Sequence, residues 1–72
     1  MKTINIGNDL PYSPLIPAME AIFNADPGEK LELVMEDPAA FGDLKTYLSE
    51  KNIGFREIYD EGFLILQFTI NR

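Results

Sequence analysis

The sequence contains no cysteine, no histidine and no tryptophan. Lack of cysteine removes thiolate nucleophiles, disulfides and thiolate ligands for zinc or haem. Lack of histidine removes the imidazole bases that act near neutral pH. Positive charge is scarce: six lysines and arginines stand against twelve aspartates and glutamates, a formal net charge of −6. Nucleic acid requires a basic patch, so that class of partner is excluded. Long apolar runs are missing too. The longest is Phe63 to Leu66, far below the roughly 20 residues that span a bilayer. Met1 to Gly7 shows no apolar signal region, and the expected location is the cytoplasm.

What is present is ordinary globular composition, 46% apolar and 25% charged over 72 residues. That length predicts a single domain over 1–72 with a thin core, because a chain this short buries only about 60% of its unfolded surface. Thr3 to Ile6 alternates with period two and stops at Gly7, the pattern of a short strand. Asn8 to Tyr12 reads as a loop. Ser13-Pro14 reads as a helix start, since serine caps an orphan N–H and proline in the first turn sacrifices no bond. Leu15, Met19, Ile22 and Phe23 then recur at helical spacing, and Asp26-Pro27-Gly28 ends the element.

Glu29 to Glu36 predicts a second strand, with Leu31, Leu33 and Met35 on one face and Glu32, Val34 and Glu36 on the other. Asp37-Pro38 repeats the cap-then-proline start and opens a helix to about Lys51. Its core face is Ala40, Phe41, Leu44, Tyr47 and Leu48, with Asn52 and Gly54 as the stop. Gly54 to Tyr59 and Phe63 to Asn71 read as a hairpin closed by the three-residue loop Asp60-Glu61-Gly62. The last strand is apolar on both faces, as a central strand is, and Arg56 and Glu57 suit an edge. The predicted order is β-α-β-α-β-β, an α/β chain folded as an α+β two-layer sandwich with both helices on one face of the sheet.

The stretch Pro27-Gly28-Glu29-Lys30-Leu31-Glu32-Leu33, followed by Glu36-Asp37-Pro38 and Asp43-Leu44, resembles the TusA/SirA-like family of small sulfur-carrier proteins. The resemblance runs from the first strand to Ile70. It implies a four-stranded mixed sheet in the order 1-2-4-3. The family's functional motif is Cys-Pro-x-Pro at the start of the first helix, whose cysteine is implied to carry a persulfide. In this chain the segment reads Pro11-Tyr12-Ser13-Pro14. Pro14 matches the second proline, Tyr12 stands in place of the first, and Pro11 occupies the cysteine position. Proline carries no sulfur, and with no cysteine anywhere the persulfide mechanism is chemically excluded.

The candidate site is therefore the vacated motif, Pro11 to Pro14. Ser13 is the one nucleophilic atom there, with only Asp9 and Glu20 as nearby bases, and helix capping is the preferred reading. Tyr12 is either a displayed contact residue or a lid completing the core. A second candidate is the helix-free sheet face, where Val34, Phe63, Ile65 and one of Ile58 or Tyr59 make an apolar patch. That patch suits a protein partner or a homodimer. Glu32 and Glu36 are read as a solvated sheet face rather than a cation site, and neither metal nor cofactor is expected. The function this supports is a non-catalytic, protein-binding adaptor or regulator related to sulfur-relay systems. The alternative is a small-ligand domain using a pocket at the first helix N-terminus. An enzyme working with carboxylates alone is disfavoured.

Overall fold

The computed structural model describes residues 1–71. Its elements are β1 (Lys2–Asn5), α1 (Leu15–Asn24), β2 (Lys30–Met35), α2 (Pro38–Glu50), β3 (Phe55–Asp60) and β4 (Phe63–Thr69). The strands form one sheet in the order β1-β2-β4-β3. The β1–β2 pair is parallel, and β4 runs antiparallel to both β2 and β3. The mixed four-stranded sheet and central last strand agree with the sequence expectation.

Local chemistry accounts for each boundary. Asp26-Pro27-Gly28-Glu29 is a type II turn: proline presets the first central residue, Gly28 takes a φ of 85°, and Glu29 N donates to Asp26 O at 3.0 Å. The Glu29 carboxylate then accepts the Asp26 N–H at 3.2 Å. Asp37 caps α2 by accepting from Ala39 N at 2.9 Å, with Pro38 at the first helical position. At the other end Asn52 sits at φ 57°, Asn52 N donates to Ser49 O, and Ile53 N donates to Leu48 O. These paired bonds are a Schellman motif with buried Leu48 against buried Ile53. Asn52 alone makes that stop; Gly54 takes no part through a left-handed backbone.

The hairpin is tighter than the three-residue reading of its loop. Asp60 pairs with Phe63, so only Glu61 and Gly62 lie between the strands, at φ 49° and 87°. This is the signature of a type I′ turn, whose twist matches that of the flanking strands. Asp60 is favoured in turns and in this chain belongs to the ladder.

Register decides which side chains meet the helices. Leu31, Leu33 and Met35 align with Phe68, Leu66 and Leu64, and from there with Phe55, Glu57 and Tyr59. This face joins Ala18, Ile22, Phe41, Leu44 and Leu48 in one core. Tyr59 consequently lies on the helix side, its ring 5.8 Å from that of Phe41. Ile58 belongs to the helix-free face, which settles the choice between the two. The core-facing line of α1 is also displaced. Ala18, Ile22 and Ala25 are buried, whereas Phe23 is 59% exposed and belongs to the outer surface. The large side chains in the sequence masked the two alanines that are buried beside Ile22.

Candidate functional site

The segment between β1 and α1 is fixed at both ends. Ile6 N donates to Val34 O at 2.9 Å, which prolongs the parallel ladder by one bond. Leu10 is half-buried and packs against the core. A Cβ on Gly7 would lie 2.8 Å from Asp9 Oδ1, a contact that a turn of the exposed Asp9 side chain relieves. Past Leu10 the chain rises outward. Pro11, Tyr12 and Ser13 are exposed, and Pro14 returns to the half-buried layer. Tyr12 is 48% exposed and is not among the side chains packed against the core.

Ser13 caps the helix as its residue type implies. Its Oγ accepts from Leu15 N at 3.2 Å and its carbonyl accepts from Ile16 N at 3.0 Å. By its first full helical bond α1 opens at Leu15, which puts Pro14 in the formal cap position without a side-chain bond of its own. The difference is one residue, within the usual play of helix ends. The chemical consequence is larger. Pro14 and Pro17 have no N–H, and those of Leu15 and Ile16 are already engaged. The first turn therefore offers an incoming anion none of the free donors that make helix starts anion sites. Ser13 has no activating partner either, since neither Asp9 nor Glu20 hydrogen-bonds to it among the described residues.

The carboxylates are spread out. Glu32 accepts from Thr3 Oγ1 at 3.0 Å and from Gln67 Nε2 at 2.7 Å, tying β1, β2 and β4 together on the helix-free face. Glu36 lies four residues further along the same strand direction, about 13 Å away, too far to share a cation. Among the described residues no three acids gather as a metal site. One carboxylate is perturbed. Glu57 accepts from Tyr59 Oη at 2.8 Å and from Lys45 Nζ at 3.0 Å. Those bonds, the tyrosine's first, hold its pKa below the ordinary 4.5, and the Glu57 bond raises that of Tyr59. The trio lies at the outer margin of α2 and β3, where Lys45 also stands 4.9 Å above the Phe41 ring. It clamps helix to strand.

The helix-free face carries a continuous apolar row. Val34, Ile65 and Ile58 are neighbours across β2, β4 and β3, with Phe63, 44% exposed, at the hairpin end. The sequence-derived trio Val34, Phe63 and Ile65 is thus assembled on one surface, although Val34 and Ile65 are half-buried. A shallow depression of about 350 Å³ lies at the far end of the sheet, between Lys30, Phe55, Arg56 and Gln67. It is not at Pro11–Pro14.

One surface was not foreseen. Ile16, 48% exposed, and Phe23, 59% exposed, stand on the outer side of α1. The Phe23 ring meets Tyr47 of α2 edge-on at 6.4 Å. The spacing of residues 16, 19 and 23 was readable beforehand, as a stripe distinct from the 18, 22, 25 line that is buried.

A family model described as sulfurtransferase TusA matches residues 2–72. The crystal structure of a SirA-like protein from Desulfitobacterium hafniense superposes with a TM-score of 0.75, covering 100% of each chain at 15% identity. At that identity the likeness is one of fold. No curated protein sequence matches the chain.

Proposed function

The chain belongs to the TusA family, and from that premise we propose that it works by binding another protein rather than by carrying sulfur. Members of the family are sulfur carriers, and this chain has no sulfur nucleophile with which to do the same. The observation that supports a binding role is the state of the vacated motif. Its helix start is retained and capped, its N–H donors are engaged, and its loop is pinned by Leu10 so that Pro11, Tyr12 and Ser13 project outward. A loop presenting a half-exposed tyrosine is suited to contact, because tyrosine supplies apolar area and a polar tip at little entropic cost. Pro11, Tyr12, Ser13 and Pro14 are the docking rim in this reading, and the partner belongs to a sulfur-relay or related system. Such an adaptor would work in the cytoplasm and would need no cofactor.

The face around Val34, Phe63 and Ile65 is a second contact surface, for a partner or for a second copy of the chain. Light scattering at high concentration tests the second copy: a dimer that Phe63→Ser converts to monomer supports it, and a monomer throughout removes it. The small-ligand alternative gains nothing at the helix start, where donors are engaged and the described depression lies at the opposite end. The adaptor reading is tested by affinity capture from the native host's lysate with wild type and Tyr12→Ala. Sulfur-relay proteins held by wild type and lost from the variant are the expected result. The absence of any specific partner with either bait contradicts it.

A further inference from the structure

β3 is an outer strand of the sheet, paired with β4 on one side and with no strand on the other among the described residues. Its six residues run along the ladder without a bulge or a proline, and Arg56, Glu57, Tyr59 and Asp60 are exposed. Such an edge presents a row of backbone donors and acceptors, which bulges, prolines or covering segments usually close. Here charged side chains alone guard it, so their order decides what can pair. Arg56, Ile58 and Asp60 lie on the helix-free side, whereas Glu57 and Tyr59 turn toward Lys45 and Phe41 of α2. On the free side a cation, an apolar residue and an anion thus follow one another at alternate positions, with Ile58 in the middle.

We propose that the β3 edge joins the β3 edge of a second copy of this chain, strand to strand and antiparallel, about a two-fold axis at Ile58. An axis perpendicular to the sheet keeps the helices of both copies on one side and sets free-side residues opposite free-side residues. A two-fold interface must complement itself, and in this register it does. Arg56 of each copy faces Asp60 of the other, and Glu57 faces Tyr59. The neighbouring registers are poorer. An axis at Glu57 sets that carboxylate opposite its own copy, and like charges directly opposite are destabilising. An axis at Tyr59 leaves Arg56 opposite Gly62, beyond the end of the strand. The register at Ile58 also runs the apolar row of Val34, Ile65 and Ile58 into its counterpart and gives Tyr59, 65% exposed in the single chain, a neighbour across the seam. Each copy carries a net −6, but at about 0.15 M salt exposed charges more than roughly 8 Å apart are largely screened, which leaves the facing pairs to act. This seam is separate from the Pro11–Pro14 rim and from packing through Val34, Phe63 and Ile65, and it goes beyond the adaptor reading.

The test is sedimentation velocity of the full chain from about 10 μM to about 1 mM at about 0.15 M salt, with Arg56→Asp, Asp60→Arg and an equimolar mixture of the two. The wild type is expected to dimerise within that range. Each variant alone sets like charges opposite and should associate at least tenfold more weakly, its fold being checked by melting temperature. The mixture restores opposite charges at both contacts and should recover the wild-type association. Net charge alone predicts otherwise, because Asp60→Arg makes each copy less acidic and should then dimerise better. A wild type that stays monomeric at the highest concentration, variants that associate as well as wild type, or a mixture that fails to recover overturns the proposal. So does a dimer lost in Phe63→Ser and indifferent to these charge changes, which is the mark of face packing. The Tyr12→Ala capture reports on the rim and sedimentation on the edge, so each reading fails by its own measurement.

Discussion

Returning a cysteine to the vacated motif asks whether the helix start is still built to hold a thiolate. In Pro11→Cys the new thiol sits on an exposed segment, so the fold should persist. Three effects act on its pKa. The helix macrodipole favours the anion by about 0.3–1 kcal/mol, which at 1.36 kcal/mol per unit lowers the pKa by roughly 0.2–0.7. Direct hydrogen bonds would lower it far more, but the first turn has none to give. Pro14 and Pro17 lack N–H groups, Leu15 N is 3.2 Å from Ser13 Oγ, and Ile16 N is 3.0 Å from Ser13 O. Asp9, folded back over Gly7, adds a repulsive charge from the same loop. The net expectation is a thiol close to the unperturbed value of about 8.5, between roughly 8 and 9. The pH dependence of alkylation by iodoacetamide reads it directly. A midpoint below 7 would show that free donors or positive potential survive there and would refute the reasoning.

Other consequences concern stability. Glu61 bears a left-handed φ that asparagine tolerates better, so Glu61→Asn should stabilise by about 0.5–1 kcal/mol, a rise of several degrees in melting temperature for a chain this size; a lower melting temperature contradicts the type I′ assignment. Leu66 is fully buried in the central strand, so Leu66→Ala should cost about 2–5 kcal/mol and shift the urea midpoint strongly, while half-exposed Phe63→Ser should move it little. Equal losses would mean that the helix-free face is part of the core. Glu57 has a folded pKa below its ordinary value, so its bonds to Tyr59 and Lys45 contribute above the unfolded pKa and fade as pH falls through the folded one. Glu57→Gln should therefore flatten the loss of stability below about pH 4.5, measured as urea midpoints from pH 6 to 3; an unchanged slope removes the clamp from the account.

The parts of the fold that local chemistry governs were legible in the residues. Ser13-Pro14, Asp37-Pro38 and Asp26-Pro27-Gly28 each encode a cap or turn within four residues, and the alternation of Leu31, Leu33 and Met35 encodes a buried face. Where a decision depended on register or on fit between layers, the residues left it open. Ile58 and Tyr59 are both credible inward residues until the pairing of Ile58 with Ile65 is known. Phe23 is apolar and at helical spacing, yet Ala18, Ile22 and Ala25 are the positions buried, and Phe23 lies on the outer surface. The vacated motif was readable because it is a departure from a family pattern.

The central claim is that the chain acts through contact at Tyr12. A photo-cross-linking phenylalanine analogue placed at position 12, in the native host, tests it most directly, with the same analogue at exposed Glu61 on the hairpin tip as control. The account predicts a discrete adduct with another protein from position 12 and none from position 61. Adducts from both positions alike, or from neither, would contradict it.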